Sequence, residues 1–225
     1  MKLVIFDCDG TLVDSQNAIC ASMEHAFGAL GLPPPARADM LGVVGLSLPQ
    51  AFAVLVPDQT ERRLAELAEL YRSGFPRQPS EVPPDPLFDG IGEVIEALAG
   101  RDDVLLGIAT GKSRRGVARI LAREGWEGRF VTIQTADDNP SKPHPSMVLR
   151  AMAEAGAEPP ATLMVGDSTF DIEMARSAGV GAIGVAWGYH APERLVRAGA
   201  HVVAAGVDEL IATIEARLAA QEAGA

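Results

Sequence analysis

Two aspartates separated by a single residue, Asp7 and Asp9, are the part of this sequence best suited to chemistry. They belong to the run Asp7-Cys8-Asp9-Gly10-Thr11, which follows the short apolar stretch at residues 3–6. On an extended backbone two such side chains point the same way, and their like charges need a cation or a shared proton between them. A pair of this kind can divide a reaction, because one carboxylate can attack phosphorus while the other passes a proton to the leaving oxygen.

Two further polar spots also follow apolar stretches. Thr110 and Gly111 stand where a predicted strand gives way to a helix, and a hydroxyl with free backbone N–H groups at such a junction suits a phosphate oxygen. Lys142 lies in the run Ser141-Lys142-Pro143-His144-Pro145, whose prolines restrict the backbone around it. Its ammonium could neutralise a phosphoryl group or an aspartyl adduct.

A third spot suggests a metal ligand. Asp167 follows the apolar residues 163–165, and Asp171 comes four positions later. A hard cation such as Mg²⁺ prefers oxygen ligands, so Asp167 could join Asp7 in holding one. For Asp171 two roles stay open, the N-terminal cap of a helix and the orientation of a neighbouring ligand.

The elements that must position these residues alternate between strand and helix from about residue 86 onward. A regular alternation of this kind predicts an α/β fold with a doubly wound, Rossmann-like parallel sheet, whose active groups lie at the carboxyl ends of its strands. Residues 7, 110, 142 and 167 are therefore expected to converge on one crevice. Strands are predicted at residues 3–6, 104–109, 130–133, 163–165 and 182–186, and helices at 92–98, 113–123, 145–155 and 171–178.

The segment between the first strand and this alternating region differs in composition. Residues 15–75 are helical in pattern and rich in Ala and Leu, and five prolines crowd into residues 76–86 as in a linker. We therefore predict a core made of residues 1–14 and 85–225, interrupted by a small helical unit at residues 15–84.

Composition limits the classes of partner. The 225 residues carry a formal net charge of −11 without a basic run, which argues against nucleic acid as a partner. No apolar run approaches the roughly 18 residues that span a bilayer, so no membrane partner is expected. Cys8 and Cys20 form neither a disulfide framework nor a metal-ligand pattern, which favours a cytoplasmic location. The sequence leaves monomer or homodimer open.

Asp-x-Asp-Gly-Thr followed by Gly-Asp-Ser-x-x-x-Asp resembles the motifs of the haloacid dehalogenase superfamily, and most closely its phosphoglycolate phosphatase-like branch. The resemblance covers nearly the whole chain. It implies a Mg²⁺-dependent hydrolase of a small phosphorylated metabolite, with residues 15–84 as a helical cap. It also implies roles for six residues: Asp7 as nucleophile, Asp9 as general acid and base, Thr110, Gly111 and Lys142 as phosphoryl ligands, and Asp7, the backbone carbonyl of Asp9 and Asp167 as metal ligands.

The same residues also bear on three other possible functions, those of a dehalogenase, a mutase and a binding module without activity. The dehalogenases lack the second aspartate, so Asp9 favours a phosphatase. A sugar-phosphate mutase similar to β-phosphoglucomutase carries a histidine on its first cap helix, where this sequence has Ile19. A binding module without activity would be expected to lose a motif residue. Pyrophosphate, phosphoglycolate, nucleoside monophosphates and sugar phosphates all stay open as substrates, and residues 45–48, Arg37 and Arg72 are candidates to approach the crevice.

Overall fold

The computed structural model describes residues 1–74 and 85–223 of the chain. Within these residues six strands form one parallel sheet in the order β3-β2-β1-β4-β5-β6. The chain therefore winds outward from β1 in both directions, which confirms the predicted doubly wound sheet. The strands are β1 (Lys2–Phe6), β2 (Val104–Thr110), β3 (Phe130–Thr135), β4 (Thr162–Gly166), β5 (Gly181–Val185) and β6 (Val202–Ala204).

β1 is central because its side chains are apolar on both faces of the sheet. The four residues from Leu3 to Phe6 have no exposed surface, and β1 pairs with β2 on one side and β4 on the other. A strand that is buried on both faces needs helices on both faces, which is the usual arrangement of parallel sheets. The switch in strand order also opens a crevice beyond the carboxyl end of β1, directly before Asp7.

Helices cover both faces of the sheet. Apolar residues of α5, α6 and α10 pack on one face, and those of α7, α8 and α9 pack on the other. None of the helices among the described residues combines the length and the apolar character needed to cross a membrane. The helices are α1 (Gln16–Ala29), α2 (Arg37–Leu41), α3 (Leu48–Leu55), α4 (Glu61–Gly74), α5 (Ile91–Ala99), α6 (Arg114–Glu124), α7 (Ser146–Ala155), α8 (Thr169–Ser177), α9 (Pro192–Ala198) and α10 (Leu210–Ala223).

The helices α1 to α4 follow β1 and have apolar clusters of their own. Ile19 and Met23 pack with residues of α2 and α3, while Phe27 and Phe52 pack with α4, their ring centroids 6.0 Å apart. The chain enters and leaves this region side by side, since the Asp14 N–H donates to the carbonyl oxygen of Pro86 at 2.8 Å. Residues 76–84 of the predicted linker at 76–86 lie outside the described residues, and the division into core and cap stays a prediction.

Candidate active site

A tight turn follows β1 and carries both aspartates of the first motif. The backbone N–H groups of Thr11, Leu12 and Val13 all donate to the carbonyl oxygen of Cys8, at 2.8 to 3.2 Å. Gly10 has a φ of +82°, a conformation that costs glycine little. A Cβ at this position would also lie 2.3 Å from Oδ2 of Asp167. The glycine therefore allows the turn and leaves space for the Asp167 carboxylate.

Asp7 lies at the bottom of the crevice with 1% of its surface exposed. Its Oδ1 accepts a hydrogen bond from the Cys8 N–H at 2.7 Å, and its Oδ2 lies 3.0 Å from Nζ of Lys142. The hydroxyl of Thr110 also hydrogen-bonds to its side chain. Asp7, the predicted nucleophile, is thus in contact with both the predicted hydroxyl and the predicted cation.

Lys142 connects two carboxylates in the interior. It has no exposed surface, and its Nζ donates to Oδ1 of Asp171 at 2.6 Å as well as contacting Asp7. Burial alone would lower the pKa of Lys142, but the two neighbouring carboxylates outweigh it and raise the pKa above its ordinary value. The lysine therefore stays charged beside Asp7.

Asp171 orients a neighbouring side chain, and it supports the helix cap as the third residue of α8, whereas the N-cap itself is Ser168. Its Oδ2 accepts hydrogen bonds from the N–H and the hydroxyl of Ser168, at 3.1 and 2.6 Å, which closes a capping box at the start of α8. Its other oxygen holds Lys142. The carboxylate thus supports the helix cap and orients the lysine that faces Asp7.

Asp167 is fixed from two sides. Its Oδ1 accepts from the Thr11 hydroxyl at 3.1 Å, and its Oδ2 accepts from the Tyr189 N–H at 2.8 Å. Gly188 leaves the space for this contact, because a Cβ there would lie 2.1 Å from Cβ of Asp167. Asp7, Asp167 and Asp171 each offer a carboxylate oxygen within 4.8 Å of the others.

This buried acidic cluster fits a divalent cation. Burial raises the pKa of Asp7 from 3.8 to about 7. The charge of Lys142 opposes this shift, and those of Asp171 and Asp9 add to it. Burial also raises the pKa of Asp167 well above its ordinary value, and the carboxylates of Asp171 and Asp7 add to the shift. Three buried carboxylates share one lysine, so their combined charge is not balanced. An all-oxygen donor set of this kind suits Mg²⁺, and Asp7 and Asp167 would hold it.

The raised pKa of Asp7 predicts how stability depends on pH and Mg²⁺. The folded protein keeps a proton that the unfolded chain releases, so without metal its stability falls as the pH rises from about 4 to about 7. Mg²⁺ favours the ionised carboxylates, and its stabilising effect should therefore be larger at about pH 8 than at about pH 5. Thermal unfolding with Mg²⁺ or with chelator, at both pH values, measures this difference. An equal Mg²⁺ effect at the two pH values, or an undiminished effect in Asp167→Asn, would contradict the assignment.

Asp9 has partners of its own. Its Oδ1 accepts from the Ser15 hydroxyl at 2.6 Å and from Nζ of Lys112 at 2.5 Å. Ser15 in turn contacts the Tyr189 hydroxyl at 3.1 Å. Burial would lower the pKa of Lys112, but Asp9 outweighs it and raises that pKa. Sequence reasoning did not single out Lys112, although its place two residues after Thr110 puts it at the same strand end.

Residues of the helical region lie directly over the crevice. A Cβ on Gly111 would be 2.8 Å from the carbonyl oxygen of Gly45, so Gly111 lies against that segment at the rim. The Ser47 N–H donates to the Ser141 hydroxyl at 2.7 Å, beside Lys142. Of the candidates to approach the crevice, residues 45–47 therefore do so, whereas the Arg72 side chain is half exposed and pairs with Glu69.

Comparisons with known proteins agree with this geometry. Residues 4–185 match the family model described as haloacid dehalogenase-like hydrolase. A probable phosphatase, IndB of Dickeya dadantii, is 36% identical over 96% of this chain and 94% of its own. The pyrophosphatase PpaX of Bacillus pumilus is 31% identical over 88% of each chain. A phosphoglycolate phosphatase of Agrobacterium fabrum is 33% identical over 83% of this chain and 81% of its own. The chain belongs to the haloacid dehalogenase-like hydrolases.

Proposed function

We propose that the protein is a Mg²⁺-dependent phosphatase that hydrolyses a small phosphorylated metabolite with Asp7 as its nucleophile. One observation carries the proposal. Asp7 is buried at the carboxyl end of the central strand, with the Lys142 ammonium 3.0 Å from one of its oxygens and Asp167 beside it. A carboxylate in this position has a charged group ready for the phosphoryl oxygens on one side and a place for a divalent cation on the other.

The reaction divides into two displacements. In the first, an Asp7 oxygen attacks phosphorus, the bond from phosphorus to the leaving oxygen breaks, and Asp9 gives its proton to that oxygen. In the second, a water molecule loses a proton to Asp9 and attacks phosphorus, and the bond to Asp7 breaks to release phosphate. The Lys142 ammonium and the Thr110 hydroxyl compensate charge on the phosphoryl oxygens throughout. Mg²⁺, when bound by Asp7 and Asp167, with the Asp9 carbonyl as the resemblance implies, supplies further positive charge there.

The surroundings support hydrolysis over isomerisation. A mutase of this family needs a histidine on the first cap helix, but Ile19 stands at that place and is 97% buried among Cys20 and Met23 of the same helix and residues of α2 and α3. His25 lies farther along α1 on its exposed face. An apolar residue at this place cannot temper hydrolysis as the histidine of the mutases does, which supports a phosphatase.

For the substrate we favour a phosphate ester or anhydride whose leaving group is itself anionic. Lys112 is the cation beside Asp9, where the leaving group must lie to receive its proton. Its side chain is only 14% exposed, and Gly116 makes room for its stem, since a Cβ there would lie 2.9 Å from Cγ of Lys112. Phosphoglycolate and pyrophosphate, the compounds in the names of two relatives, both carry such a charge. A neutral sugar leaving group does not.

A kinetic screen with Mg²⁺ tests this function. We expect turnover of phosphoglycolate or pyrophosphate to exceed that of sugar phosphates and ethyl phosphate, and all activity to vanish with chelator. Lys112→Met should lower kcat/KM for the charged substrates by about tenfold or more relative to ethyl phosphate, because one charge contact is lost. Full activity under chelation would refute the metal requirement. An unchanged substrate preference in Lys112→Met would refute the role of this lysine.

The cellular setting is also a proposal. Cys8 and Cys20 are both buried free thiols, and burial raises the pKa of each above its ordinary value. Thiols in this state are protonated and poorly reactive, as suits structural cysteines in a reducing compartment. We therefore propose a cytoplasmic enzyme that acts on small molecules, as a monomer or a homodimer.

A further inference from the structure

A second cavity opens at the opposite end of the sheet from Asp7. Its volume is about 410 Å³, and Arg176, His201, Arg217 and Gln221 line it together with Gly181. Gly181 is the first residue of β5, whereas the active-site residues follow the carboxyl ends of the strands. Five residues of parallel strand span about 16 Å, so this cavity is separate from the crevice.

The charges around this cavity are not balanced. Arg176 lies in the last turn of α8 and Arg217 in α10, and neither has a carboxylate within 4.0 Å among residues 1–74 and 85–223. The chain as a whole carries a net charge of −11. This cavity therefore brings together two guanidinium groups without a carboxylate partner, in a protein of negative net charge.

The hydrogen bonds of His201 leave two donors facing each other at the exposed edge of the cavity. The Ala182 N–H donates to Nδ1 of His201 at 3.0 Å, so the proton of the neutral ring must be on Nε2. Yet Nε2 lies 3.0 Å from Nη1 of Arg176, and a guanidinium can only donate. Protonating both ring nitrogens would break the bond from Ala182 and leave a donor facing Arg176 all the same. The two side chains thus present donors to each other with no acceptor between them.

Arg217 adds a third donor. Its Nε is a buried atom with no hydrogen-bond partner among the described residues, as is the acceptor Oε1 of Gln221 in the same cavity. Its neighbour one turn along α10, Gln221, is anchored by donating to the carbonyl oxygens of Pro159 and Thr162, at 3.2 and 3.3 Å. This anchor fixes the end of α10, and with it Arg217, against the start of β4 and β5.

We propose that this cavity is a second anion site that binds a phosphate group, either inorganic phosphate or the phosphoryl group of a small metabolite. The donors come from three separate elements, α8, the loop before β6, and α10. Donors that converge from different directions suit the tetrahedral oxygens of phosphate better than the two coplanar oxygens of a carboxylate, and arginine is the usual partner of such oxyanions. A phosphate oxygen beside the Arg176–His201 pair, within hydrogen-bond distance of both nitrogens, would accept from both.

The test follows backbone amide signals by NMR while inorganic phosphate is added, because amides near the two sites report separately. The signal of Ala182, whose N–H contacts His201, should move and saturate with a Kd on the order of 1–10 mM. Arg217→Met should weaken this binding about tenfold, whereas Arg62→Met, which removes an exposed arginine of α4, should leave it unchanged. Ethylphosphonate is an organic probe whose carbon–phosphorus bond the enzyme does not cleave. If it shifts the Ala182 signal as phosphate does, the site accepts organic phosphoryl groups. If phosphate shifts the signal and ethylphosphonate does not, the site is assigned to the free ion.

Several results would overturn the proposal. One is the absence of a saturable shift at Ala182, and another is equal phosphate binding by wild type and Arg217→Met. A third is an equal response to acetate or to chloride at matched ionic strength, which would show a general salt effect without preference for phosphate. Shifts near Asp7 and Asp167 are read separately, so the outcome does not depend on whether the active site binds phosphate.

Discussion

Replacing Asp7 with Asn is expected to reduce phosphate release at least about a thousandfold while the fold stays intact. The amide keeps the shape of the side chain but cannot attack phosphorus. The fold should tolerate the change because burial already raises the pKa of Asp7 to about 7, so the neutral form suits this position. Lys142 keeps Asp171 as its charged partner at 2.6 Å. Turnover of an aryl phosphate with saturating Mg²⁺, together with circular dichroism, measures both effects.

Asp102→Asn provides the matched control. Asp102 is exposed and remote from the crevice, at the loop before β2, and its replacement should leave turnover within about twofold of wild type. The nucleophile assignment would be wrong if Asp7→Asn, properly folded and free of deamidated protein, retained more than about one hundredth of wild-type turnover.

Replacing Lys142 with Met is expected to destabilise the fold more than replacing Asp7, Lys112 or Lys2. The ammonium is fully buried between Asp7 and Asp171, and removing it leaves two buried carboxylates without their cation. Breaking a buried pair from one side costs about 3–5 kcal/mol of unfolding free energy. The loss should be smaller at about pH 5 than at about pH 8, because the raised pKa of Asp7 lets it take up a proton and shed its charge. Urea denaturation without metal at the two pH values measures it.

Two comparisons isolate the cause of that loss. Lys2→Met also removes a lysine, but Lys2 pairs with Asp103 at the surface, and such pairs contribute less than about 1 kcal/mol. Adding Asp171→Asn to Lys142→Met removes one of the two stranded carboxylates and should recover part of the stability. If Lys142→Met cost no more than Lys2→Met, the buried ion pair would have no energetic role.

The strands that hold the site could be predicted because burial on both faces makes them continuous apolar runs. The five predicted strands lie within one or two residues of β1 to β5 at each end. β6 was missed, since Val202–Ala204 is three residues long and its first residue is partly exposed at the edge of the sheet. The helix before it, α9, has only seven residues and begins with Pro192, which gave too little periodicity to recognise.

The arrangement of the active-site residues could be predicted only in part. Parallel topology alone predicts that strand ends meet, and the structure does bring Asp7, Thr110, Lys142 and Asp167 together. The predicted alignment of Asp7 with Asp9 rested on an extended backbone, but β1 ends at Phe6 and the chain turns there, so the two carboxylates have different partners.

Those partners could not be read from the sequence. Ser15 and Lys112, which hold Asp9, and Tyr189, whose N–H holds Asp167, are residues of ordinary type. Tyr189 is separated from Asp167 by 22 positions and from Ser15 by 174. Only the fold brings Tyr189 next to Asp167 and Ser15, and no local spacing marks these contacts.

The covalent role of Asp7 is tested most directly by the stereochemical course of phosphoryl transfer. A phosphate ester made chiral at phosphorus with oxygen isotopes and sulfur is hydrolysed with Mg²⁺ in isotopically labelled water, and the configuration of the released thiophosphate is determined. Attack by Asp7 followed by attack of water inverts phosphorus twice, so we expect net retention. Net inversion would mean that water attacks the substrate directly, and it would contradict the proposal that Asp7 is the nucleophile.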